Sequence, residues 1–227
     1  MRPTPLRRPA VAAASAAVLA LVLTACGGDD KPREDSGKAD ASASAAARPD
    51  VRALPAAALD GLAVGPADLR GYRVTKVAGA GVVNVGDVSS DKPACEPLAE
   101  ALAGAAPGTP TTTAHREAVK ARATTGLVLG SYDGEGAQRA FASLRAAGTD
   151  CARGFRLMSA AGTDDITALA PKPVTVAAAD EALAWTVTGK KTGAGALLVF
   201  RKGNSLVAVT AGELPTAVAD AQAARLR

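Results

Sequence analysis

Few side chains in this sequence have the chemistry of a nucleophile, a general base or a metal ligand. There is one histidine, His115, and there are three cysteines, Cys26, Cys95 and Cys151. A Ser-His-Asp triad could draw only on His115, beside Thr111-Thr112-Thr113 in a segment that reads as an exposed loop. An activated nucleophile needs its base within hydrogen-bond reach and a third group to orient that base. No Gly-x-Ser-x-Gly elbow is present to supply the nucleophile, so His115 reads as a solvated loop residue. A zinc site would have to be built on carboxylates, which is uncommon, and no Cys-x-x-Cys, His-Glu-x-x-His or EF-hand loop occurs. Asp164-Asp165 and Asp180-Glu181 are paired acids. Glycoside hydrolysis needs two carboxylates facing each other across a cleft, and neighbours in sequence read as solvated turn acids instead. Asp133-Gly134-Glu135-Gly136 resembles the start of a phosphate-cradling loop, but it lacks the third glycine and the Gly-Lys-Ser/Thr ending. It reads as a turn feeding a helix. Lys190-Lys191 reads as a hairpin tip, and Trp185, the one tryptophan, as core packing. The expectation is therefore no catalytic residue, no metal, no cofactor and no enzyme activity, with a carboxylate-based hydrolase as the minor alternative.

The cysteines say more. Arg2, Arg7 and Arg8 precede an uncharged run from Ala10 to Ala25, too short for a membrane span and right for a secretory signal. The run ends in Leu23-Thr24-Ala25-Cys26, which matches the bacterial lipobox, with Gly27 and Gly28 leaving the thiol open. Residues 1–25 are thus expected to be a lipoprotein signal peptide, and Cys26 the lipidated N-terminus of the mature chain. Several acyl chains at about 0.8 kcal/mol per buried CH₂ hold a protein firmly at a membrane. With Cys26 committed to lipid, Cys95 and Cys151 remain as one pair in a compartment that permits a disulfide. Two buried free thiols are the other reading.

Charge and composition exclude more than they assign. The 227 residues are 48% hydrophobic, 21% charged and 3% aromatic, too apolar for a wholly disordered chain. The net charge of +4 rests on the signal. Without its three arginines, 23 basic residues face 22 acidic ones, a net of +1. That removes the electrostatic footprint of a nucleic-acid binder.

The elements that would position any site begin at Val51. Residues 26–50, from the lipidated cysteine through an Asp-, Ser-, Ala- and Gly-rich run, hold no large apolar residue and read as a flexible linker. A coil of that length reaches about 25–30 Å on average. Residues 51–227 read as a single extracytoplasmic domain. Gly71 to Val77 alternates like a strand. Residues 79–91 read as a hairpin or loop, and residues 95–104 as a helix with Pro97 in its first turn and Gly104 as its stop. Residues 105–113 form a loop. Glu117 to Tyr132 reads as one long strand or two short ones with Gly126 as a possible bulge. A helix is expected over 135–147, with Ala137, Ala140, Phe141 and Leu144 on one face. Phe155–Met158 and Asp165–Leu169 read as strands, with Pro171 and Pro173 as breaks. Ala182–Thr188, Ala196–Phe200 and Leu206–Thr210 form a three-stranded meander, and Leu214-Pro215 opens a last short helix. The class is α+β: an antiparallel-rich sheet packed by two or three helices.

Taken together, Lys92-Pro93-Ala94-Cys95-Glu96-Pro97-Leu98, Leu127-Val128-Leu129-Gly130-Ser131-Tyr132, Ala137-x-x-Ala140-Phe141-x-x-Leu144 leading to Cys151, and Asp180-Glu181-Ala182 before the meander have a familiar order. The chain resembles actinobacterial lipoproteins similar to the extracellular sensor domain of the receptor kinase PknH, over residues 54–227. Envelope lipoproteins with PsbP-like α/β folds are a second resemblance. The first implies a sheet and helices framing a cleft for an unidentified ligand, and it carries no catalytic residue. The kinase sensor has two disulfides where this chain has cysteines for one. The expected function is a lipid-anchored extracytoplasmic binding module for a small ligand or an envelope protein. A structural or accessory envelope lipoprotein is the alternative.

Overall fold

The computed structural model describes residues 51–226. The expected signal peptide (1–25), and Cys26 with the linker (26–50), lie outside the described residues. Among those described, nine strands form one antiparallel sheet: β1 (Arg73–Lys76), β2 (Val88–Ser90), β3 (Thr112–Lys120), β4 (Ala123–Ser131), β5 (Phe155–Ser159), β6 (Gly162–Lys172), β7 (Glu181–Gly189), β8 (Gly193–Lys202) and β9 (Ser205–Ala211). Their spatial order is β1-β3-β4-β9-β8-β7-β6-β5-β2. Four helices pack on it: α1 (Ala56–Leu62), α2 (Glu96–Ala103), α3 (Gly136–Asp150) and α4 (Thr216–Arg225). This is the α+β, antiparallel-rich architecture expected. None of the described helices is long and apolar enough to cross a membrane.

The central strands are apolar on both faces, because both faces are covered. Ala196–Phe200 on β8 and Ser205–Val209 on β9 are buried at every position. Leu197, Val199, Leu206 and Trp185 face Leu98 of α2 and Phe141 and Leu144 of α3. Leu198, Phe200, Val207 and Val209 face Leu59 of α1 and Val218, Ala219 and Ala223 of α4. Trp185 is core, as expected: a Cβ on Gly148 would stand 2.8 Å from its indole, so α3 lies on the ring only because residue 148 is glycine.

Several segments differ from the sequence reading for identifiable reasons. Of the two readings of Glu117–Tyr132, the two-strand one holds, with strands longer than expected and no bulge at Gly126. Two strands of nine residues meet at Ala121-Arg122, with Ala121 in the left-handed region (φ 54°). Gly126 sits in regular register opposite Glu117 and Thr210. β3 starts at Thr112, so His115 is a strand residue rather than a loop residue, and it is buried. Pro171 lies inside β6 opposite Trp185. It is tolerated because β5 pairs only as far as Ile166, which leaves Pro171 on an open edge where no N–H is required. Residues 79–91 hold two single 3₁₀ turns and β2, which pairs with β5 instead of closing a hairpin. α3 runs three residues beyond its expected end, to Asp150, and the Ala-rich entry forms α1.

Two ties fix the frame. Cys95, just before α2, is disulfide-bonded to Cys151, just after α3, with Cα atoms 5.7 Å apart. At the domain's entry, Ala53 N donates to Asp133 Oδ1 (2.8 Å), Leu54 N to Ser131 Oγ (2.9 Å) and Asn204 Nδ2 to Arg52 O (2.8 Å). Residues 51–54 are thereby held against the end of β4 and the β8–β9 turn.

On the other sheet face, Gln222 of α4 is fully buried. Its Oε1 accepts from Val64 N (2.8 Å) and its Nε2 donates to Leu62 O (3.0 Å). Gln222→Leu leaves a buried N–H unpaired and should cost about 2 kcal/mol in urea unfolding. A loss below about 0.5 kcal/mol would show that water reaches Val64 N.

Candidate functional site

On the face that carries α2 and α3, one pole of the sheet lies beyond the end of α2. α2 stops at Ala103, capped by Gly104 in the left-handed conformation (φ 85°). Beyond that stop, the face that carries α2 and α3 continues through Thr124 and Gly126 of β4, Thr210 of β9, Gly195 of β8, Val187 of β7 and Ile166 of β6. These residues floor a cleft of about 990 Å³. Val82, Val83 and Leu102 wall one side; the β5–β6 turn at Ala160–Gly162 and the β7–β8 turn wall the other. The size and the apolar walls with few polar groups fit a small-molecule site.

The floor is open because its side chains are small. β8 begins Gly193-Ala194-Gly195-Ala196 where a strand ordinarily carries bulky residues. At Gly126 a Cβ would stand 2.9 Å from Thr210 Oγ1, so the glycine lets the neighbouring strand bring its hydroxyl across.

Asp164 organises one wall. It accepts from Lys191 N (2.9 Å), Thr192 N (3.1 Å) and Thr192 Oγ1 (2.7 Å), and so fixes the β7–β8 turn. Burial works against its charge, but these hydrogen bonds outweigh burial and hold the carboxyl below its ordinary value. A group whose affinity for protons is lowered by folding stabilises the fold above its unfolded pKa. That stabilisation is lost as pH falls through the folded value. Asp164→Asn should therefore cost about 1–3 kcal/mol at pH 7, and the gap from the wild type should close on acidification below about pH 4. Urea unfolding at pH 7 and pH 3 measures both; a pH-independent gap would assign the effect to shape rather than charge.

A smaller chamber of about 170 Å³ shares Val83, Ala103, Gly126 and Thr210 with the cleft. His115 lines it. Burial lowers the imidazole's affinity for a proton, so the ring is neutral at pH 7. It makes no hydrogen bond to a carboxylate or hydroxyl among the described residues, so no triad is assembled around it.

The other residues singled out in the sequence are occupied elsewhere. Asp165 is ion-paired with Arg156 (2.9 Å) and Lys190 (3.1 Å). Asp180 and Glu181 lie at the opposite pole, both on Arg201 (3.1 and 2.9 Å), and Glu181 also bonds Arg145. They are not the solvated turn acids expected, and they do not share the cleft with Asp164. Lys190-Lys191 does form the β7–β8 turn, and Lys191 lines the cleft. Asp133 and Gly134 turn the chain into α3, with Asp133 accepting from Ala53 N and Thr111 Oγ1. Sequence reasoning missed Gly126, Gly195 and Thr210. Their signal was present, as small residues inside otherwise bulky strands.

No family model matches this chain, and no curated protein does. Among solved structures, the extracellular domain of PknH from Mycobacterium tuberculosis is similar over 77% of this chain and 95% of that chain, at 12% identity and a TM-score of 0.51. An uncharacterised protein from Mycobacterium smegmatis is similar over 70% of this chain and 90% of that one, at 13% identity and a TM-score of 0.37. The first likeness is one of fold, and it is the fold that the sequence resemblance implied.

Proposed function

We propose that this protein is a lipid-anchored, extracytoplasmic binding module of the sensor type, which takes its ligand in the cleft at the pole of the sheet beyond the end of α2. The observation that carries the reading is the cleft itself. It is built from seven elements and floored with glycine and threonine where bulky residues would close it. The PknH-like fold supports the extracytoplasmic setting, and the lipobox supports an anchor on Cys26. A carboxylate hydrolase is disfavoured because Asp164, on the cleft wall, spends its oxygens on the β7–β8 turn.

Thr210→Phe tests the cleft. It places a strand-compatible ring over the floor at a position that already carries a Cβ. Native mass spectrometry of the protein purified from its native host without denaturant should show an extra mass that unfolding removes and Thr210→Phe abolishes, at unchanged melting temperature. A bare mass for the wild type would favour an accessory envelope protein with no small ligand. Fractionation tests the anchor: Cys26→Ala should move the protein out of the membrane fraction, and a variant that stays there would refute lipidation as the attachment.

A further inference from the structure

His115 is only 8% exposed, and its Nε2 is buried with no hydrogen-bond partner among the described residues. Such an atom is rare in a folded protein, because burying an unpaired polar group is costly. We propose that the His115 chamber is the headgroup site of the cleft, where Nε2 hydrogen-bonds the hydroxyl of an uncharged amphiphile whose apolar body lies along the glycine floor. This rests on the reading that the cleft binds a ligand.

The placement supports it. His115 stands opposite Val128 in the β3–β4 register, on the face that continues into the cleft. Around it, Val77, Val83, Ala101 and Ala103 present only hydrocarbon. The chamber and the cleft share Val83, Ala103, Gly126 and Thr210, so an amphiphile with its head at His115 would lay its body over Gly126 and Thr210.

The charges decide the class of head. α2, β4, β9 and the segment 77–83 bring no charged side chain to the chamber. On β3 itself, Glu117 follows on the same face, while the Arg116 guanidinium is held by Asp60 on the other (2.9 Å). The cleft beyond carries Asp87 and Asp164, with Lys191 on its outer wall. A carboxylate or phosphate head at His115 would thus sit beside Glu117 with no cation to answer it. A neutral imidazole offers one nitrogen as donor or as acceptor according to its tautomer. A hydroxyl is both donor and acceptor, so it satisfies Nε2 in either tautomer. A fatty alcohol and the free hydroxyl of an acylglycerol share this chemistry.

The single histidine makes the test unambiguous, because the imidazole resonances of ¹⁵N-histidine-labelled protein report one site. The full chain is titrated with 1-decanol and with decanoate at pH 8, and mass adducts are followed in parallel. Decanol should shift the Nε2 resonance saturably, and decanoate should bind at least about tenfold more weakly. His115→Phe, which keeps the chamber apolar, should lose about tenfold in decanol affinity. Should that variant not fold, the wild-type titration decides alone. Monoolein then distinguishes an acylglycerol source from a fatty alcohol by relative affinity. A decanol adduct with an unmoved Nε2 signal, or decanoate binding as tightly as decanol, overturns the headgroup site and leaves the cleft reading standing. No decanol binding also overturns it, and the host-derived adduct lost in Thr210→Phe then judges the cleft separately.

Discussion

Gly154→Ala should lose about 4 kcal/mol of folding stability, close to half of what a domain of this size commonly has. Gly154 sits in the turn between α3 and β5 at φ +93°, and its N–H donates to Cys151 O (2.9 Å). A Cβ there would lie 2.2 Å from the carbonyl oxygen of Ile166. That oxygen cannot retreat easily. The β6–β7 register shifts between Ile166 and Ala168, and just past the shift Leu169 N donates to Ala152 O (3.3 Å). The turn is therefore laid flat on the irregular stretch of β6. Backbone strain of about 1–3 kcal/mol and overpacking of about 1–3 kcal/mol add at one place. Gly134→Ala is the control: φ is +53°, nothing lies within 4 Å of its Cβ position, and the expected cost is about 1 kcal/mol. Equal urea midpoints for the two variants would show that the turn does not press on β6.

Removing the disulfide should have an effect of the same size. Cys95 and Cys151 are separated by 56 residues. Closing such a loop in the unfolded chain corresponds to about 4 kcal/mol in the chain-entropy description. The Cys95→Ala/Cys151→Ala double variant should therefore unfold at much lower urea, with a larger m-value as its denatured state expands. The bond also joins the start of α2 to the end of α3, and the far end of α2 walls the cleft through Leu102. Ligand affinity should fall along with stability. A double variant as stable as the oxidised protein would mean that the bond only decorates a contact already made by Leu98, Phe141 and Leu144.

The sequence showed those features whose signal is local. The β7–β8–β9 meander, the faces of α3 and the pairing of Cys95 with Cys151 follow from alternation, helical spacing and cysteine count, and each appears in the structure. His115 did not, because Pro110 and three threonines look like a loop until β4 supplies a partner strand from Thr112 onward. Pro171 misled for the opposite reason: a proline forbids a strand only where a neighbour needs its N–H, and whether β5 extends that far is not a local property. Asp164 and Asp180 looked alike as acids next to acids. Their partners come from 21 to 28 residues away, and those partners separate a cleft wall from an ion-paired pole. The cleft was least legible. It is defined by missing side chains at Gly126 and Gly195, which share one floor only after β9 aligns β4 with β8.

The hydrogen bonds that fasten residues 51–54 to Ser131, Asp133 and Asn204 carry a consequence for orientation. β4 runs from Thr124 on the cleft floor to Ser131 at the entry, so the chain joins the domain at one end of the strand and the cleft is at the other, about 17–25 Å away. A domain leashed through its N-terminus hangs from the pole opposite its opening. With a flexible leash fastened at Cys26, as proposed, the attachment at residues 51–54 would leave the cleft mouth unobstructed.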